Sequence, residues 1–321
     1  MKLLLKIFLP ALLFLFSLSC EESFSPIGDF EEKYTLNCVL NGNSGFQEAT
    51  LTATYFADGK DPFTNQTDPV VKDAIIKIWL NPDTVVIMKD STISDTSLNR
   101  YNTPKYFYYI ENFKPDFDQE LRIEAQLATG QRLIGTTSTP KQVEFNRRSD
   151  SMLPMDNKDI VELSWIAKEA DLYYYPSLTF SYEKEINGIR TEHIEKIPAR
   201  YIEFEGKTIP FYPRASESPA VIFERSAIIK VLTDIAEGVD KSSIYLNVQA
   251  ELEVTVLDKN LKSYYQASID GLDQFTVRLD GSDFTNISGG LGVFGSYLKI
   301  SRTIPISEKL ITSLGYNAIF N

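Results

Sequence analysis

Residues Ile244–Leu257 read IYLNVQAELEVTVL, and their period decides the fold class. Leu246, Val248, Ala250, Leu252, Val254 and Val256 recur at every second position, with Asn247, Gln249, Glu251, Glu253 and Thr255 between them. Successive side chains of a strand point to opposite faces, so this is a long strand with one apolar face. A helix would scatter the same residues around its circumference. The period recurs on both sides. In IVELSWI (160–166), Val161, Leu163 and Trp165 alternate with polar or small neighbours, and in 49–56 Leu51, Ala53 and Tyr55 oppose Thr50, Thr52 and Thr54. Further strands read at 33–40, 70–80 with Trp79 as a core residue, 85–88, 105–110, 121–129, 131–139 and 172–185. Glu205-Gly206 marks a hairpin turn within 194–210.

Helical spacing is confined to short pieces. Ile228, Val231, Leu232, Ile235 and Ala236 repeat with that period, after Ser226 as N-cap and before Gly238. Shorter helices read near 261–272 and 307–314, the latter ended by Gly315. The chain is therefore mainly β, with two β-sandwich domains of immunoglobulin or fibronectin type, the second carrying helical insertions. The polar stretch NRRSDSMLPMDNK (146–158) reads as a linker between an N-terminal domain at 31–145 and a C-terminal domain at 159–321. A length of 321 residues suits two domains at roughly 150 residues each.

The N-terminus gives the location. MKLLLKIFLPALLFLFSLSC joins a positive region at Lys2 and Lys6 to an apolar run at 7–16 and small Ser17 and Ser19. The run is well short of the ~20 residues that cross a bilayer, so residues 1–19 read as a signal peptide. Cys20 stands where a lipobox places its acylated cysteine, which makes it the lipid-attachment residue. Residues 20–30 (CEESFSPIGDF) then form a polar tether. A lipid-anchored protein at the outer membrane or cell surface is the expected product. Cys38 is left without an internal disulfide partner and reads as a small buried hydrophobe.

Charge and chemistry exclude several classes. The formal charge is −12, and loss of Lys2 and Lys6 takes it to −14, with no basic run for a nucleic acid to bind. His193 is the single histidine, which removes Ser-His-Asp triads, Cys–His dyads and histidine-rich metal sites. It lies near the turn Asn187-Gly188 and reads as an exposed residue. HExxH, G-x-S-x-G and P-loop patterns are missing. Asp58-Gly59-Lys60-Asp61 and Asp280-Gly281-Ser282-Asp283 are simpler as turns than as calcium loops. No cofactor or metal site is read, and no catalytic residue is nominated. Two aromatic clusters, Tyr106–Tyr109 and Tyr173–Tyr175, would suit sugar stacking if their rings were exposed and coplanar. In strands, half of each cluster should face the core.

The most unusual internal stretch is TNISGGLGVFGS, Thr285–Ser296. Five glycines crowd positions 289–295 around Leu291, Val293 and Phe294. Such a segment reads as a folding element in which glycines permit positive φ while the apolar residues plug the core. It lacks the Lys and Ser/Thr of a phosphate loop.

Taken together, Cys20 with its acidic followers, EKYTLNCVLNG, TGQRLIGTTSTP and NISGGLGVFGSY resemble the DUF4249 lipoproteins of Bacteroidota across nearly the whole mature chain. The most specific pieces are Asn286-Ile287 with Gly290, Gly292, Phe294 and Gly295; Gly289 stands where Asn is expected. The resemblance implies a surface or outer-membrane lipoprotein, often encoded beside TonB-dependent receptors, with no known enzymatic activity. Three functions follow in order: a non-enzymatic ligand-binding or accessory partner of a TonB-dependent transporter, a structural or adhesive spacer, and a carboxylate-dependent hydrolase.

Overall fold

The long strand at 244–257 lies near the middle of the largest sheet and is paired on both edges. A computed structural model describes residues 30–56, 61, 64–94, 101–154, 158–270 and 284–320. Its first half lays down β1 (Tyr34–Asn41), β2 (Gln47–Ala53), β3 (Ile75–Asn81), β4 (Thr84–Ile87), β5 (Lys89–Ile93), β6 (Lys105–Ile110), β7 (Glu120–Gln126), β8 (Arg132–Ser138) and β9 (Glu144–Phe145). The second half adds β10 (Ile160–Ile166), β11 (Tyr173–Ile186), β12 (Ile189–Ile197), β13 (Arg200–Phe204), β14 (Lys207–Phe211) and β15 (Ala220–Glu224). It closes with β16 (Ile244–Leu257), β17 (Ile287–Ser288), β18 (Phe294–Pro305) and β19 (Asn317–Ile319). Helices occupy Arg225–Asp234, Lys259–Asp270 and Glu308–Leu314. The mainly-β expectation holds, and the several packed sheets are those of a β-sandwich architecture.

Among the described residues, one sheet runs β12-β11-β16-β18-β1-β2-β6-β5, with β19 beside β16. A second runs β17-β8-β7-β3-β4, a third β15-β10-β9, and β13-β14 is a separate hairpin. The largest sheet joins the two halves of the chain through β18. This strand pairs antiparallel with β16 from Tyr297 to Pro305, while its first residues pair parallel with β1, Cys38 opposite Phe294 and Asn41 opposite Tyr297.

Two apolar cores result. The first lies between the β1-β2 part of the large sheet and the β17-β8-β7-β3-β4 sheet, and buries Leu36, Leu40, Leu51, Ile76, Ile78, Ile123 and Leu133. Ile287 and Phe294, from the far end of the chain, complete it. The second buries the inward faces of β10, β11, β15 and β16 together with Ile228, Val231 and Leu232 of the first helix. The stretch read as a linker is packed where it is described. Leu153 is fully buried in the second core, its N–H donates to Pro305 O (2.8 Å), and its carbonyl accepts from Ser307 N–H (3.0 Å). From Lys33 onward the described residues form one compact unit.

Three local readings need correction. Trp79 is not a core residue: Ile76 and Ile78 take the core parity of β3, so Trp79 falls on the opposite face. Residues 89–93, which fall between the strands read at 85–88 and 105–110, form a further strand, β5, at the sheet edge, where an exposed strand has no need of apolar side chains. The helix read as capped by Ser226 begins at Arg225 with Glu224 as N-cap, and no side chain bonds its first turn.

Candidate functional site

The glycine-rich segment is built from β1 outward. Leu291 N–H donates to Tyr34 O (2.8 Å), Leu36 N–H to Leu291 O (2.9 Å) and Cys38 N–H to Val293 O (2.9 Å). This ladder draws the segment so close to β1 that side chains are excluded. A Cβ on Gly292 would lie 2.1 Å from Leu36 O, and its φ of +113° is a conformation that L side chains rarely adopt. A Cβ on Gly290 would meet Tyr34 O at 2.5 Å, and one on Gly295 would meet Leu261 Cγ at 2.6 Å. Phe294 is fully buried in the first core, Val293 is buried and Leu291 partly so.

Asn286 fastens the segment to the opposite sheet. Its Oδ1 accepts from Phe294 N–H (2.9 Å), and its Nδ2 donates to Phe294 O (2.7 Å) and Thr136 O (3.1 Å). Asn260 makes a parallel clamp, its Nδ2 donating to Thr136 O (2.9 Å) and Phe294 O (3.1 Å). The five motif residues Asn286, Gly290, Gly292, Phe294 and Gly295 thus sit at one junction, where β1, β8 and β18 meet.

Beside them lies Asp258, which sequence reasoning missed. It is buried, its Oδ1 accepts from Leu261 N–H (2.8 Å), and its Oδ2 accepts from Ser296 N–H (2.8 Å) and from the Thr137 hydroxyl. Burial lifts its carboxyl above the ordinary carboxylate range, against the pull of these hydrogen bonds. The bond to Leu261, three residues on, is an N-cap for the helix Lys259–Asp270. An Asp between an alternating strand and a helical run (TVLDKNL) was the available signal.

Next to this junction, on the outer face of the β17-β8-β7-β3-β4 sheet, opens a cleft of about 1080 Å³. Strand register sets its floor: Trp79 stands opposite Arg122, Arg122 opposite Thr136, and Asn286 one position before the Ile287–Gly135 pair. Asn81 and Pro82 border one end, and Lys259 and Asn260 a side. Asp118, Glu120, Arg122 and Lys259 bring two charges of each sign. Glu124 accepts from Arg122 Nη2 at 3.0 Å, leaving other guanidinium N–H groups. The Nε1–H of Trp79 is buried with no hydrogen-bond partner among the described residues.

No protein-family model matches this chain, and no curated protein matches it either.

The remaining sequence candidates lie elsewhere. Cys20 is outside the described residues, as are Asp58-Gly59-Lys60 and Asp280-Gly281-Ser282-Asp283. Cys38 is buried on the core face of β1, and burial, aided by the Glu48 carboxylate, pushes its thiol up to about 12. His193 stacks on Tyr182 with ring centroids 5.2 Å apart. The aromatic clusters do not form a platform: Tyr106 and Tyr108 meet edge to face, and the Tyr108 hydroxyl donates to Val71 O (2.9 Å) in the first core. Tyr174 is buried, while Tyr173 meets Tyr265 edge to face. A smaller hollow of about 190 Å³ lies among Tyr182, Lys196, Tyr201, Tyr212 and Asp234. Of the charged groups around it, Lys196 is engaged with the Tyr175 hydroxyl (3.2 Å) and Asp234 with Lys230 (2.9 Å), while Lys184 and Glu195 also line it.

Proposed function

We propose that this protein is a lipid-anchored, non-enzymatic capture or accessory protein of the outer membrane or cell surface, akin to the DUF4249 lipoproteins and partnered with a TonB-dependent transporter. One observation carries the capture role: the cleft is floored by side chains on three hydrogen-bonded strands, with Asn286 at the start of a fourth, and flanked by a junction of buried hydrogen bonds. A site on such a scaffold needs little ordering when a ligand arrives, so less of the interaction energy is lost to entropy. Among the described residues, the one hydroxyl–carboxylate pair at the cleft, Thr137 with Asp258, is buried in the junction, and the other lining side chains suit recognition: an indole, amides, hydroxyls and charges of both signs. The N-terminal pattern supports the location. Lipid at Cys20 confines the cleft to the membrane surface and raises its effective concentration near a membrane partner.

Membrane fractionation tests the anchor. The wild-type protein should remain with the outer membrane after a carbonate wash, and Cys20→Ala should move to the soluble fraction. A Cys20→Ala protein that stays in the washed membrane removes the basis for the proposal.

A further inference from the structure

We infer that the cleft takes a neutral oligosaccharide, laid across the strands along the row Trp79–Arg122–Thr136–Asn286. The inference rests on the capture reading above and specifies its ligand. Three features of the row point to this class.

The first is length. Three of the residues lie on neighbouring strands β3, β7 and β8, and Asn286 immediately precedes β17, all at one level of the sheet. Three strand spacings amount to about 14 Å, which fits a run of linked sugar rings better than a single small molecule. The cleft volume of about 1080 Å³ agrees with a ligand of that size.

The second is charge. Asp118 and Glu120 match Arg122 and Lys259 in number, and Asp118 and Arg122 are further paired with Lys141 and Glu124, so the lining carries no net charge to favour an anion or a cation. A neutral ligand leaves that balance intact, whereas an ionic one would leave an opposite pair of groups to be desolvated without compensation.

The third is the mixture of surfaces. A pyranose presents an apolar C–H face and a rim of hydroxyls that both donate and accept. Trp79 supplies a partly exposed aromatic surface at one end of the row. Beyond it, Arg122 has donors left over from Glu124, and the Thr136 side chain is exposed. Asn260 has its Nδ2 committed to two carbonyls, so its position is fixed, while its Oδ1 has no partner among the described residues. Asn286 is saturated by Phe294 and Thr136 and acts as wall rather than as contact. An aromatic surface flanked by fixed donors and acceptors with no net charge matches a glycan chain. An apolar ligand would strand these polar groups without partners.

The test is titration calorimetry on the full lipid-anchored protein in a sugar-free detergent. The probes are cellohexaose, xylohexaose, mannohexaose and maltohexaose, with an acidic peptide and inorganic phosphate as charged comparators. At least one of the four glycans should bind. Trp79→Ala should weaken it by about thirtyfold or more, as expected when the row's one aromatic anchor is truncated. Thr136→Tyr, at an exposed position that a β-favouring residue fills without touching the core, should block the row. Both variants should keep the wild-type unfolding midpoint within a few degrees. Glycan binding untouched by either folded variant overturns the assignment, and so does a wild type that binds none of the four glycans. Binding of a charged comparator that Trp79→Ala abolishes would overturn the glycan class while leaving capture in the cleft standing. A folded wild type that binds none of the six probes, and whose cleft variants bind none, counts against both.

Discussion

Replacing Gly292 with Ala separates a structural junction from a pliable loop. The added Cβ would sit 2.1 Å from Leu36 O and 2.7 Å from Leu36 C, both backbone atoms of β1 that cannot swing aside. The segment must withdraw, and three backbone hydrogen bonds go with it: Leu291 N–H to Tyr34 O, Leu36 N–H to Leu291 O and Cys38 N–H to Val293 O. At about 1 kcal/mol net for each bond, this costs roughly 3 kcal/mol. The φ of +113° adds about 1–2 kcal/mol of backbone strain for a residue with a Cβ. The expected loss is therefore about 4–5 kcal/mol, or a fall in midpoint of about 10 °C at roughly 2 °C per kcal/mol for a chain of this size. Gly188→Ala is the control. Its φ is +77°, yet nothing lies within 4 Å of the added Cβ, so only the strain applies and the midpoint should fall by about 2–4 °C. Thermal unfolding by circular dichroism on the same preparation reads both. Equal shifts for the two substitutions would refute the claim that close packing on β1 fixes this segment.

Phe294→Ala empties a fully buried site in the first core and should cost about 3–5 kcal/mol, visible as a midpoint several degrees lower; a shift of a degree or less would show that the segment does not fill the core. Asp150 accepts from Lys158 Nζ (2.5 Å) and Glu162 N–H (2.9 Å), and although burial pushes its carboxyl up, these contacts together hold it below the ordinary carboxylate range. A depressed folded value means stability that is present above the unfolded pKa and lost as pH falls through the folded one. Lys158→Met should thus destabilise by about 0.5–1 kcal/mol at neutral pH, the pair being half exposed on the lysine side, and denaturation curves should converge with wild type in acid. In a Cys20→Ala protein, Cys38 should resist a thiol reagent while folded and react fully in denaturant; rapid labelling of the folded state would contradict its burial and raised pKa.

Much of the strand inventory was legible because period-two alternation is a local signal. β16 shows this well: of the six residues placed on its apolar face, all but Val248 are buried. The glycine segment was legible for the same reason, since crowded glycines around Phe294 leave few roles beyond close packing. What stayed hidden is non-local. Asn37 Oδ1 accepts from Val293 N–H across 256 residues, and nothing in either stretch announces that β1 and β18 pair in parallel. The same blindness hid the cleft. Trp79, Arg122 and Thr136 are ordinary residues on three separate strands and Asn286 stands just before a fourth, and only strand register aligns them. Trp79 was misread as core because an apolar run of AIIKIWL does not reveal which parity faces inward.

The central claim is that a membrane-tethered capture protein works beside a transporter. Native purification of the lipid-anchored protein from outer membranes, in mild detergent and followed by identification of what is retained, tests it most directly. The account predicts a TonB-dependent receptor in near-stoichiometric amount, and its loss when Cys20→Ala frees the protein from the membrane. Recovery of the anchored protein alone, or with cell-wall components and no receptor, would contradict it and favour a structural or adhesive role.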